Sequence, residues 1–491
     1  MASLKSLAKD TAIYGLSSIV GRFLNYLLVP LYTAKLSAES GGYGVITNVY
    51  AYTALILVIL TYGMETTLFR YSNKDGENAD TVFSTALKSV SFTSLTFIAL
   101  VLVFISPLSA IMGYAEHPAY IWTMAVTVAV DAVHCILFAR LRYEKRPVKF
   151  AALKLFFIIL NISLNIFFFV VVPEFTDRST DVGYAFYINL ACSMIVTFCF
   201  AKEIKTALGV KFDGALLRRM LSYGWPILVL GIAGILNQTA DKILFPYIYD
   251  AGNANEQLGI YGAASKIAMI MAMITQAFRY AYEPFVFGKA KDKDGDSREV
   301  YAKAMKYFII FTLMAFLLVS GYMGILRHII GRDYWSGLRV VPVVMVAEIM
   351  MGIYFNLSFW YKLIDKTIWG AWFSGIGCAV LVATNIIFVP VYGYMACAWA
   401  GVAGYGVAMT LSYLVGQRHY PIRYPLGEIA FYVLLAAALF AGITVSNDKL
   451  PLAAAIGTNT LLVALFAFVV VKRDFPLSSL PVVGKYFRDK K

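Results

Sequence analysis

LVPLYTAKLSAESGGYG (Leu28–Gly44) and LFPYIYDAGNANEQLGIYG (Leu244–Gly262) follow one pattern. Each closes an apolar helix with a proline near one membrane face, crosses a short polar loop and restarts at Tyr-Gly. From Tyr43 to Glu65 is 22 residues, and from Tyr261 to Glu283 is again 22. Both glutamates fall near the far end of the following helix, and a charged loop comes after each. The first and second apolar spans therefore match the seventh and eighth. Six spans separate the copies, an even number, so both run the same way through the membrane. That is a parallel internal repeat about an axis along the membrane normal, the plan expected of a duplicated transporter with a central cleft.

The rest of the chain agrees with a membrane setting. Of 491 residues, 60% are hydrophobic and 14% charged, with mean hydropathy +0.70, whereas soluble domains run near about 25% charged. A hydrocarbon core of about 30 Å takes roughly 20 apolar residues per helix. Hydropathy and Gly/Pro punctuation predict about fourteen spans: 11–36, 42–69, 82–106, 118–141, 149–172, 183–202, 223–248, 258–287, 302–326, 338–362, 367–390, 394–417, 426–446 and 451–471. The short basic head with Lys5 and Lys9 leads straight into the first span, which reads as an uncleaved helix. With the N-terminus in the cytoplasm, the inner loops and both tails hold 30 of the 42 Lys and Arg, the outer loops 6 and the spans 6. The positive-inside rule then places both termini in the cytoplasm. The net charge of +13 is accounted for by topology and attraction to anionic lipid, without invoking nucleic acid. One outer loop departs from the trend, carrying Arg327, Arg332 and Arg339.

No loop is long enough to fold as a domain, so whatever the chain does, it does between its helices. No Ser-His-Asp set, paired carboxylates, Walker sequence or metal-ligand spacing is present, and the four histidines are scattered. An enzyme, such as a sugar polymerase or ligase, is therefore not expected. ATP-driven transport is equally unsupported, which leaves an ion gradient, a membrane potential or product removal as the energy source. Cys135, Cys192, Cys199, Cys378 and Cys397 all lie in apolar spans and read as helix packing.

The N-terminal residues AKDTAIYGLSSIVGRFLNYLLVPLYTAKLSAESGGYGVITNV and TYGMETTLFRYSNKDG resemble the opening of bacterial polysaccharide flippases. These belong to the multidrug/oligosaccharidyl-lipid/polysaccharide exporter superfamily, which also holds the lipid II flippases and the drug extruders. The resemblance rests on the Pro-Leu-Tyr-Thr close of the first helix, the Tyr-Gly restart and the Gly-X-Glu…Phe-Arg-Tyr end of the second, over residues 5–75. It implies an all-α polytopic bundle of two six-helix lobes in a V shape, here 1–205 and 206–420, with two further helices and a tail over 421–491. It implies movement of an undecaprenyl-pyrophosphate-linked oligosaccharide across the bacterial cytoplasmic membrane by alternating access; because such a cavity is internal, a monomer is the default. Fourteen helices match the lipid II flippases, in which the last two form a groove for the lipid tail. A drug or metabolite exporter and a lipid II flippase are the alternatives on the same fold.

Ionisable residues at membrane depth cost several kcal/mol and mark pathways by default. Arg22 sits near mid-membrane in the first span with Asn25 one turn on, and a guanidinium fork suits phosphate bidentately; the competing role is a structural ion pair. Lys266 and Arg279 in the eighth span are thirteen residues apart and can form a basic track, although Arg279 can also pair with Glu283 one turn on. In the seventh span Asn237 and Asp241 share one face, while Gln238 and Lys242 share the next, about 100° away. On that geometry Asp241 and Lys242 are not expected to pair with each other. The Asn237–Asp241 stripe is suited to a cation, with Asn385 as a further ligand, and Lys242 to an anionic substrate. The competing assignment has Lys242 at the outer interface and Asp241 capping backbone. Coupling to Na+ or H+ through a seventh-helix carboxylate is what the superfamily resemblance implies. Asp131 and His134, i and i+3, read first as a polar contact locking helices and second as a proton relay. Glu65 and Asp365 read as interfacial, Glu348 is left open, and the ending FPLSSLPVVGKYFRDKK suits an inner-leaflet anchor or a disordered tail.

Overall fold

The computed structural model describes residues 26–176, 180–289, 297–364 and 366–474. Every regular element among them is helical. The longer helices are α1 (Leu28–Lys35), α2 (Gly42–Thr61), α3 (Met64–Ser72), α4 (Ala79–Val103), α5 (Pro118–Tyr143), α6 (Pro147–Ile166), α7 (Gly183–Cys199) and α8 (Ala201–Gly209). They continue as α9 (Gly214–Ile248), α10 (Ala254–Lys289), α11 (Ser297–Gly321), α12 (Val341–Leu357), α13 (Ile368–Tyr392), α14 (Tyr394–His419), α15 (Leu426–Lys449) and α16 (Leu452–Arg473). Twelve stretches are long and apolar enough to cross a membrane, or thirteen if the pair α7–α8, bent by 61°, counts as one span. These correspond to the second to fourteenth spans read from hydropathy. α1 is the described end of the first; the remainder, with Arg22 and Asn25, lies outside the described residues, as do Asp365, the tail from 475 and the Glu283 side chain.

Local chemistry sets the boundaries. Asn78 caps α4 by accepting from the amides of Asp80 (2.8 Å) and Thr81 (3.2 Å), and Asp213 caps α9 through the amide of Leu216 (2.9 Å). Prolines open α5 and α6, where the missing N–H costs nothing. The break between α2 and α3 falls at Tyr62 and Gly63, both left-handed with φ of 32° and 74°.

The chain forms two compact units, Met1–Ala263 with Cys378–Cys397, and Ala264–Gly377 with Ala398–Lys491. In the first, the two Tyr-Gly restarts pack face to face. A Cβ on Gly44 would overlap the carbonyl of Asn255, and one on Gly262 would sit 2.5 Å from Oγ1 of Thr47. Glycine at both restarts is what lets α2 and the start of α10 approach this closely. Polar side chains cross-link the interior: Tyr32 donates to Asn165 (2.7 Å), Asn189 to Tyr50 (3.0 Å) and Ser193 to Asp131 (3.0 Å), while His134 meets Thr197 (2.9 Å). His134 also lies 3.7 Å from Asp131, so this pair joins α5 to α7. One end of the unit carries an ion-pair belt: Arg142 with Glu65, Arg140 with Glu144 (2.6 Å) and Asp80 (2.5 Å), Lys149 (2.6 Å) and Arg146 (3.2 Å) with the buried Glu203, and Arg219 with Glu77 (2.9 Å). Glu65 is thus paired with Arg142.

In the second unit the antiparallel pair α15–α16 is fastened to α11 at both ends. At one end Asn459 donates to the carbonyl of Gly321 (2.8 Å) and to Asn447 (2.8 Å), and Asn447 to that of Ser320 (3.2 Å). At the other, the buried Lys306 holds both Glu428 and Asp474, and Asp474 also accepts from Tyr432. Lys306→Met leaves two carboxylates facing each other. The expected loss is about 3 kcal/mol of local stability, read as faster hydrogen exchange across 426–473 with α2–α5 unchanged.

Candidate functional site

α9 carries prolines at 226 and 246 inside its 35 residues. Pro246 has no amide to donate to the carbonyl of Lys242, four residues back, so that carbonyl needs another donor. Asn48 of α2 supplies it: its Nδ2 donates to the Lys242 oxygen at 2.8 Å, while its Oδ1 accepts from the hydroxyl of Tyr114 at 2.9 Å. One turn further along both helices, the hydroxyls of Tyr52 and Tyr247 meet at 2.8 Å. The helix is therefore weakened at the carbonyl of 242 and repaired from outside. Asn48→Leu strands that carbonyl and the Tyr114 hydroxyl; a melting experiment should show a loss of about 1–3 kcal/mol.

Immediately before this repair sit Asp241 and Lys242, and here the residue-spacing expectation is corrected. The Lys242 ammonium lies 3.0 Å from both Asp241 oxygens and donates to the carbonyl of Gln238 at 3.0 Å. Helical side chains lean toward the N-terminus, and a lysine stem is long enough to run back over one turn. The angle of about 100° between adjacent residues separates short side chains. It does not separate an ammonium on four carbons from its neighbour's carboxylate. Tyr261 completes the arrangement, donating to Asp241 Oδ2 at 2.6 Å, with its ring 5.5 Å from the ammonium. Asp241 also accepts from the amide of Lys242 (2.9 Å). The carboxylate side chain is 10% exposed and that of the lysine 23%, so the pair is largely withdrawn from solvent.

The other expected ligands lie in the same unit. Asn237, buried, donates to the carbonyl of Ala233 (2.9 Å). Asn385, 1% exposed, donates to the carbonyl of Leu381 (2.9 Å), and its Oδ1 is buried with no hydrogen-bond partner among the described residues. α9 and α13 end side by side, since a Cβ on Gly393 would lie 3.4 Å from the Tyr249 ring. Asp241 and Asn385 each precede that junction by eight residues, about 12 Å of helix, and so occupy one level. Among the described residues no group of three His, Cys, Asp or Glu is placed to hold a metal.

In the second unit Arg279 is half-buried, its guanidinium 5.0 Å over the Phe355 ring. Thr275, Phe278, Gly352, Asn356 and Phe359 surround it in a small recess. Lys266 stands on the same helix, half-buried and about 20 Å away along the axis. Sequence reasoning missed Asn48, Tyr114 and Tyr261. The missing amide of Pro246 was a usable signal for the first, and nothing local marked the other two.

The family model described as "Polysaccharide biosynthesis protein" matches residues 7–281. Among solved structures, a lipid II flippase MurJ in an inward closed conformation aligns with a TM-score of 0.72 at 16% identity, over 93% of this chain and 98% of that one. An inward-facing multidrug resistance MATE family transporter of the MOP superfamily aligns at 0.65 and 16% identity, over 83% and 94%. The MATE multidrug transporter DinF-BH, solved as a complex, aligns at 0.60 and 16% identity, over 84% and 95%. No curated protein sequence matches. The resemblance read from the N-terminal residues and the all-α polytopic fold are both borne out.

Proposed function

This chain belongs to the polysaccharide biosynthesis protein family, and from that membership we propose that it is a flippase for an undecaprenyl-pyrophosphate-linked oligosaccharide in the bacterial cytoplasmic membrane. The family match over residues 7–281 is the observation that carries the reading, and the basic character of the candidate site residues supports an anionic cargo. The polyprenyl tail stays in lipid while the pyrophosphate and sugars cross, so the protein has to supply cations and hydrogen bonds in place of water. Arg22 with Asn25, Lys266 and Arg279 are the proposed phosphate and sugar contacts, in a monomer working by alternating access of lobes 1–205 and 206–420. Both termini face the cytoplasm in this scheme, and the chain performs no covalent chemistry.

Coupling to Na+ or H+ is assigned to Asp241 with Asn237 and Asn385. The Lys242 ammonium already occupies the carboxylate, so a cation gains access only when Lys242 swings away, and the lysine is then free to meet anionic cargo. A proton acts equivalently by neutralising Asp241 and releasing the lysine.

The test is made in the producing organism. Deleting the gene is expected to trap the lipid-linked oligosaccharide where a membrane-impermeant lectin cannot reach it. Arg279→Gln should slow its appearance outside by about 10-fold or more, the loss of one charge-assisted contact. Unchanged lectin access after deletion would remove the proposal.

A further inference from the structure

The loop joining α11 to α12 runs against the charge rule, placing arginines on the face expected to be external. Its fold explains how they are held. The indole N–H of Trp335 donates to the carbonyl of Arg327 at 2.9 Å, which folds residues 327–335 back on themselves. The Arg327 guanidinium then stacks 4.4 Å over the indole, Arg332 approaches the same ring at 6.0 Å, and the His328 ring stands edge-on at 5.4 Å. Among the described residues neither arginine forms an ion pair, although Asp333 is adjacent, and Nε of Arg327 is buried without a hydrogen-bond partner. Two unneutralised guanidiniums are gathered about one indole, a side chain that settles at the headgroup level of a bilayer.

The surroundings are amphiphilic. Ile325, in the same loop, and Leu452, at the start of α16, are 50% and 45% exposed. Gly324 packs so closely on α16 that a Cβ there would lie 2.5 Å from Leu452 Cδ1. Tyr322 meets Thr460 of that helix at 2.8 Å. A cationic cluster at headgroup depth beside exposed aliphatic side chains fits a ligand with a phosphate head and a hydrocarbon tail.

We propose that Arg327, Arg332 and Trp335 form a binding site for the phosphate of an anionic lipid in the outer leaflet. The site rests on the proposed orientation of the chain and is independent of the identity of the cargo. The shared chemistry is a lipid phosphate, whether of phosphatidylglycerol or of an undecaprenyl pyrophosphate leaving the transporter. Guanidinium forks donate to its oxygens bidentately, and the indole holds Arg327 in place.

The full-length protein, with a photo-crosslinking residue at Asp333, is placed in phosphatidylcholine nanodiscs containing a minor fraction of one tritiated lipid. Preferential labelling of phosphatidylglycerol over phosphatidylcholine supports a membrane headgroup as occupant. Stronger labelling of undecaprenyl pyrophosphate supports the carrier, and inorganic pyrophosphate distinguishes a site that needs no tail by abolishing both. Arg327→Gln with Arg332→Gln should weaken labelling about 10- to 30-fold, whereas the corresponding lysine pair, which keeps the charge, should retain part of it. Equal labelling of phosphatidylcholine, or labelling untouched by the glutamine pair at unchanged melting temperature, overturns the proposal. If the wild type flips no oligosaccharide yet labels in an arginine-dependent way, the flippase reading falls and the lipid site stands.

Discussion

Replacing Lys242 by methionine is expected to cost about 3–5 kcal/mol of stability, because it leaves the Asp241 carboxylate largely buried with Tyr261 as its main side-chain donor. The loss is expected to depend on sodium. Together with the amide oxygens proposed at Asn237 and Asn385, the carboxylate would make a ligand set for a hard monovalent cation, and sodium at about a hundred times its Kd would return about 2.7 kcal/mol. The wild type, with its own ammonium on the carboxylate, should show little of this dependence. Asp241→Asn combined with Lys242→Met removes both charges and should recover most of the stability without sodium, as replacing a whole buried pair usually does. Thermal melting of the three proteins in sodium and in choline separates these outcomes. A single Lys242→Met variant as stable as the wild type in choline would mean that the pair seen in the structure does not hold the helix.

The second large effect is expected at the repeat. Gly44→Ala places a methyl group in the carbonyl of Asn255, a backbone atom on α10 that cannot turn aside. The helices must separate along the seam where Gly262 also meets Thr47, and little folded protein should survive extraction. Gly234→Ala in α9 is the matched control, since a Cβ there meets nothing within 4 Å; it should be neutral or slightly stabilising. Comparable yields of the two variants in size-exclusion chromatography would contradict the close packing of the restarts.

The fold was legible because the hydrocarbon imposes it. A segment such as 426–446 has few ways to satisfy its backbone other than as a spanning helix, and it is one in α15. The pairing of Tyr43-Gly44 with Tyr261-Gly262 was legible as a repeat, but that Gly44 packs on Asn255 and Gly262 on Thr47 was not. Helix periodicity describes where a Cβ points. It says little about where the end of a lysine goes, and so Asp241 and Lys242 read as belonging to separate faces when they share one contact. Pro246 announced a carbonyl in need of a donor without saying which residue supplies it, and Tyr114 and Tyr261 were not marked at all: Asn48, Tyr114 and Tyr261 each matter through a partner 20 to 194 residues away. Lys306 is a further case, because its carboxylates at Glu428 and Asp474 lie at the far ends of the last two helices.

The most direct test is transbilayer movement of a fluorescent undecaprenyl-pyrophosphate oligosaccharide in proteoliposomes containing the purified chain. Protein-dependent movement that Arg22→Ala abolishes or strongly slows is the expected result. Export of a labelled cationic drug under a sodium gradient, with the lipid-linked oligosaccharide left where it started, would contradict it.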